Sequence, residues 1–181
     1  LCLVFNEGCY LQDVPPEVKV FSLYEREWNF AHRKSLKLYR KHGIRALLRL
    51  RARWKIRKHY DAIISFIEGD ALLFHDLVRD RAGRNIAWVH CDLRLFHWTQ
   101  KTFRSDSDEE RAYGHMDTVI FCSRITKESF ERMYRVSVPK TYIYNIIDSA
   151  SIRRAADSQD VPHDELTVTA VGSLSEVKCH D

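Results

Sequence analysis

Four short apolar runs, residues 61–66 (DAIISF), 85–89 (NIAWV), 118–122 (TVIFC) and 140–144 (KTYIY), each give way to polar residues. They show little apolar/polar alternation, so both faces of each strand must be covered. That is the signature of a parallel sheet flanked by helices. Residues 69–81 repeat apolar side chains at Leu72, Leu73, Leu77 and Val78, and residues 123–134 also have helical spacing, whereas the stretch up to Tyr113 is polar and aromatic. Two further β-rich runs, residues 1–5 and 18–23, are separated by an Asn-Glu-Gly turn and a Pro15-Pro16 stop. The expected fold is an α/β unit with a Rossmann-like parallel sheet, its helices placed on both faces by right-handed crossovers. Composition turns polar after Asn145. The expected organisation is a Rossmann-like domain over 1–148, incomplete at its N-terminus, a linker over 149–165, and over 166–181 the start of a second, truncated domain opened by the strand LTVTAV.

Charge is unevenly distributed. The net charge is +4, yet residues 31–60 hold twelve Lys or Arg and no acid, leaving 17 basic against 25 acidic residues, a net of −8, for the rest of the chain. Within the basic segment Leu36, Tyr39, Leu47, Leu50 and Trp54 recur at steps of three and four, with Gly43 in the remaining slot. This describes an amphipathic helix with a break at His42-Gly43. Three uses compete: a helix docked on the protein with its basic face in water, a surface for anionic lipid headgroups, or a nucleic-acid contact. No recognition motif accompanies the charge, so nucleic acid is not expected as a partner.

The five cysteines are scattered without a C-x-x-C pair, and the nine histidines follow no metal-ligand spacing. Neither a disulfide framework nor a metal site is expected, and a reducing, cytoplasmic compartment fits. No apolar stretch is long enough to span a bilayer.

In an open parallel sheet, ligands bind beyond the carboxyl ends of the strands. The residues delivered there are Glu68-Gly69, His90 with Asp92, Cys122-Ser123, and Asn145. Glu68 has the chemistry to bind a sugar hydroxyl, with Gly69 letting the backbone approach the ligand; alternatively Glu68 stabilises the next helix through its dipole. His90 suits contact with a substrate oxygen or proton transfer. Asp92 either orients His90 and binds a hydroxyl or holds a turn, and Ser123 either binds substrate or caps a helix. Cys91 and Cys122 flank apolar strands without a local Cys-His pair and read as small packing residues. Trp88, Phe96, Trp98 and Phe103 offer stacking surface for a sugar or base, with core and loop packing as the simpler use.

These segments, in this order, resemble glycosyltransferase family 4, retaining sugar transferases of GT-B fold. YDAIISFIEGDAL and IAWVHCD are similar to the family's strand-and-turn and histidine-bearing strand. VIFCSRITKESF resembles the strand that ends in Ser and opens a helix, and TYIYNIID the stretch that closes the acceptor-side domain. TAVGSLSEVKCHD resembles the opening of the donor domain, usually V-G-R-L-x-x-x-K-G. The resemblance implies a hexosyltransferase acting without an obligatory metal or other cofactor, with a nucleotide diphosphate sugar as donor and a polysaccharide or lipid-linked acceptor. His90 would be catalytic, Glu68, Gly69, Asp92, Ser123 and Asn145 would bind substrate, and Gly172 and Lys178 would meet the donor diphosphate. The expected location is cytoplasmic and peripheral on the inner face of the membrane, the basic segment suiting an acceptor held in anionic lipid. The chain departs from the pattern at Ile146, where the family has Pro, at Ser173, which replaces the phosphate-contacting arginine, and at Cys179, which replaces a glycine. Serine cannot replace a bidentate guanidinium. The alternative expectation is a non-catalytic α/β module that binds an acidic partner or a membrane through residues 31–60.

Overall fold

A computed structural model describes residues 1–27, 29–158 and 172. The chain divides into two units, Leu1–Tyr144 and Asn145–Asp181. In the first, strands β1 (Cys2–Phe5) and β2 (Phe21–Tyr24) precede helices α1 (Phe30–His42) and α2 (Ala46–Lys55). Then follow β3 (Tyr60–Ser65), α3 (Asp70–Val78), β4 (Ala82–Val89), α4 (Asp106–Gly114), β5 (Thr118–Phe121), α5 (Arg124–Met133) and β6 (Lys140–Tyr142). The second unit contains α6 (Ser149–Asp157). The predicted strand 166–171 lies outside the described residues.

The four main apolar runs form a parallel sheet in the order β3-β4-β5-β6, flanked by helices in a Rossmann-like manner. Its core contains Ala87 and Val89 of β4, Val119 and Phe121 of β5, the almost wholly buried α3, and Tyr113 and Phe130 from α4 and α5. Strands β1 and β2 are also parallel but form a separate two-stranded sheet. Between β1 and β3 lies an apolar cleft of about 440 Å³, lined among others by Leu3, Phe5, Ile63, Ile64, Phe66 and Phe74. The β3 run was expected to be covered on both faces, yet Ile64 is half exposed because this strand is the edge of its sheet.

The basic segment folds as two helices, broken where expected. Asn29 caps α1 by accepting from the His32 amide, and Gly43 ends it in a left-handed turn (φ +73°) with its amide returned to the Tyr39 carbonyl. Tyr39 and Leu36 of the predicted stripe pack on the core as expected, whereas the docking face of α2 differs from it. Tyr39, Leu48 and Ala52 are fully buried, while Leu47, Leu50 and Trp54 face outward. Arg45 anchors the break between the helices, reaching Asp76 at 3.2 Å and Asp108 at 3.3 Å, and the Tyr39 hydroxyl donates to Asp108.

His75, on α3, is buried between the Ser65 hydroxyl (3.1 Å) and the Asn85 side-chain oxygen (3.0 Å). Burial lowers its pKa, although the Asn85 contact and nearby Asp76 oppose the shift. The unfolded chain therefore takes up a proton at a pH where the folded imidazole remains neutral. Stability should fall as pH drops below about 6.5, with a slope of at most about 1.4 kcal/mol per pH unit from this group. Urea titrations at several pH values check this, and His75→Gln should flatten the profile over that window.

Candidate functional site

Because β3, β4, β5 and β6 are parallel, their carboxyl ends share one edge of the sheet. Register places Ser65 opposite Ala87 and Val89 opposite Phe121, which brings residues 66–69, His90 and Cys122-Ser123 together. The Cys122 amide donates to the Val89 carbonyl, and the Cys122 thiol approaches the His90 carbonyl oxygen at 3.4 Å.

Trp88, on β4, and His90, the first residue past its end, are two residues apart and project to the same side. Their rings stack at 6.0 Å with an interplanar angle of 17°, and Phe66 packs on His90 at 4.7 Å and on Trp88 at 5.0 Å. One nitrogen of each ring, Trp88 Nε1 and His90 Nε2, is buried and has no hydrogen-bond partner among the described residues. A buried polar atom left unpaired costs about 1–3 kcal/mol, so these two, side by side at a strand-end edge, are polar groups that the described residues leave unsatisfied.

Glu68 points inward and is almost fully buried. One carboxylate oxygen accepts from the His90 amide (3.0 Å) and the other from the Trp98 indole (3.1 Å). Glu68 thus braces the end of β4 and the following loop, in place of the solvent-facing carboxylate that a sugar ligand would need. Gly69 has φ +73° and ψ −128°, and a Cβ there would lie 2.5 Å from Cη2 of Trp98. The close approach that Gly69 permits is to the indole of Trp98.

Asp92 holds the turn after β4 and ties it to α5. One of its oxygens accepts from the Arg94 and Leu95 amides and from the Ser129 hydroxyl at 2.6 Å. Ser123 is the N-cap of α5, accepting from the Thr126 amide at 3.1 Å. Burial, reinforced by nearby Glu68, pushes the Cys91 thiol up to about 11, which keeps it protonated and inert near neutral pH. Asn145 begins the second unit and is exposed, as is Gly172; Lys178, Ser173 and Cys179 lie outside the described residues. Of the aromatic cluster, Trp98 covers Gly69 and Phe103 enters the core, while Trp88 belongs to the stacked edge.

A second polar cluster escaped the sequence reading. His97 Nε2 lies 3.0 Å from Glu109 and 3.0 Å from the Tyr134 hydroxyl, and Thr99 donates to Glu109 at 2.8 Å. Burial raises the Glu109 pKa, and the hydrogen bonds from His97 and Thr99 partly offset the rise. This network fastens the loop after β4 to α4 and α5. The signal for it was Ser105, which caps α4 by accepting from the Asp108 amide, together with three acids in that helix's first turn.

Among the described residues no group of three His, Cys, Asp or Glu is arranged to hold a metal ion, and no helix is long and apolar enough to cross a membrane. No protein-family model, curated protein or solved structure matches the chain.

Proposed function

We propose that the chain is the acceptor-side part of a retaining glycosyltransferase similar to family 4, transferring a hexose from a nucleotide diphosphate sugar to a polysaccharide or lipid-linked acceptor in the cytoplasm. The observation that carries this reading is the stacked Trp88-His90 pair, with Trp88 Nε1 and His90 Nε2 buried and unpaired among the described residues at the carboxyl edge of a parallel sheet. Sugars present hydroxyl groups to such nitrogens and C–H faces to such rings.

On this reading His90 is the catalytic residue of the edge, its Nε2 meeting a donor-sugar oxygen. Glu68 is a positioning residue that fixes the main chain at His90, and Gly69 allows the Trp98 contact that completes this brace. Asp92 and Ser123 shape the loop and helix beside the site. By the resemblance, Asn145 faces the acceptor side, and Gly172 and Lys178 meet the diphosphate. Rate enhancement comes from holding donor and acceptor in reactive geometry and from stabilising the departing diphosphate.

A panel of nucleotide sugars, assayed for hydrolysis and transfer with the product of the whole reading frame, tests this. His90→Ala is expected to lower turnover on the order of 100-fold, with the thermal unfolding curve preserved. Full activity in that variant would remove the role given to His90. An absence of nucleotide binding by calorimetry would favour the non-catalytic module, a reading that the outward apolar residues of α2 also support.

A further inference from the structure

The basic helices carry a second apolar stripe that the fold does not use. With Tyr39, Leu48 and Ala52 committed to the core, the outer side presents Phe30, Leu47, Leu50 and Trp54 at 76%, 45%, 69% and 52% exposure. These four line one trough of about 710 Å³ together with Lys34 and Arg51. An adjoining hollow of about 990 Å³ shares Phe30 and Lys34 and is edged by Lys37, Arg40, Lys41 and Arg104.

Cations surround Trp54. Arg51, Lys55 and Arg57 stand 4.9, 5.4 and 5.8 Å from its ring, and Lys34 stands 5.8 Å from Phe30. Several of these cations have no carboxylate partner among the described residues. The segment's ion pairs with carboxylates include Arg45 with Asp76 and Asp108 and Arg53 with Asp80, whereas Lys34, Lys37, Arg40, Lys41, Lys55 and Arg57 enter none among the described residues.

We infer that this face docks on an anionic lipid bilayer, with Phe30, Leu47, Leu50 and Trp54 entering the headgroup boundary and the surrounding lysines and arginines meeting lipid phosphates. Charge complementarity selects the occupant, because an apolar stripe set among unpaired cations matches a surface that is apolar below and anionic above. An acidic protein or a nucleic acid would use the cations and leave the four apolar side chains in water. The inference rests on the helix surface alone and stands apart from the sugar-transfer reading.

Co-sedimentation of the 181-residue chain with phosphatidylcholine vesicles, with and without about one third phosphatidylglycerol, tests it. Binding is expected to the anionic vesicles only, and to weaken as added salt shortens the Debye length from about 10 Å at 0.1 M to about 3 Å at 1 M. Lys37→Ala with Lys41→Ala should lower partitioning about 30-fold, since each cation near such a surface contributes about 1 kcal/mol. Leu50→Ser with Trp54→Ser should lower it at least about tenfold, with circular dichroism unchanged because both side chains project outward. Equal binding to neutral and anionic vesicles overturns the inference. Binding that follows the lysine variants but ignores Leu50 and Trp54 also overturns it, because the apolar stripe then takes no part in docking.

Discussion

Gly69→Ala is expected to lower the unfolding free energy by about 4 kcal/mol, and of the described glycines Gly69 has the tightest space for a Cβ. Two costs combine. At φ +73° and ψ −128° the backbone occupies a region that only glycine enters freely, and the new Cβ would lie 2.5 Å from Cη2 and 2.7 Å from Cζ3 of Trp98. The indole cannot swing away cheaply, because its Nε1–H donates to the buried Glu68 carboxylate, which also holds the His90 amide. The substitution therefore disturbs the catalytic candidate through two intermediaries. Thermal unfolding should shift downward by roughly 10 °C for a chain of this size. Combining Gly69→Ala with Trp98→Ala should cost less than the sum of the single changes, because the clash disappears and only the backbone strain and the lost indole remain. Additive costs would show that Trp98 is not the obstacle.

Asp76→Ala is the second large loss. The carboxylate is 2% exposed and accepts from Arg45 at 3.2 Å, Arg79 at 2.9 Å and His115 Nδ1 at 2.7 Å. Removing it strands three donors around a vacated site, and breaking a buried pair from one side typically costs about 3–5 kcal/mol. The contribution of Arg79 is small, since its own side chain is 45% exposed and screened by water. Most of the loss is assigned to Arg45, which joins the break between the basic helices to α3 and, through Asp108, to α4. Asp76→Asn keeps an acceptor and should cost clearly less. Chemical denaturation of the two variants separates the hydrogen bonds from the charge.

The strands of the main sheet were legible because each leaves a local mark, an apolar run ended by polar residues, even though the edge strands β3 and β6 are not buried on both faces. The break at Gly43 was legible for an equally local reason, the left-handed turn that ends α1. What failed was non-local. The roles of Glu68 and Gly69 depend on Trp98, about thirty residues further along, and nothing in the sequence near Glu68 announces that partner. The docking face of α2 was misphased because Leu47, Leu50 and Trp54 form the stronger apolar stripe, whereas the core takes Leu48 and the small Ala52. Helix α4 was hidden by the aromatic residues before it, although Ser105 and its acidic first turn announced a start. The gap between β1 and β3 was also invisible, since strand pairing is decided by neighbours far away in the chain.

That gap divides the first unit mechanically. Among the described residues the β1-β2 ribbon exchanges no ladder hydrogen bond with the four-stranded sheet; α2 and α3 hold it by side-chain packing, and Arg51 by one bond to the Leu23 carbonyl. A two-stranded ribbon has little cohesion of its own. The ribbon is expected to open at a lower free energy than the larger sheet, two tiers that hydrogen exchange of the amides would separate. The basic helices bridge the two tiers, following β2 and preceding β3 in the chain. A load applied to those helices is therefore felt first along this seam.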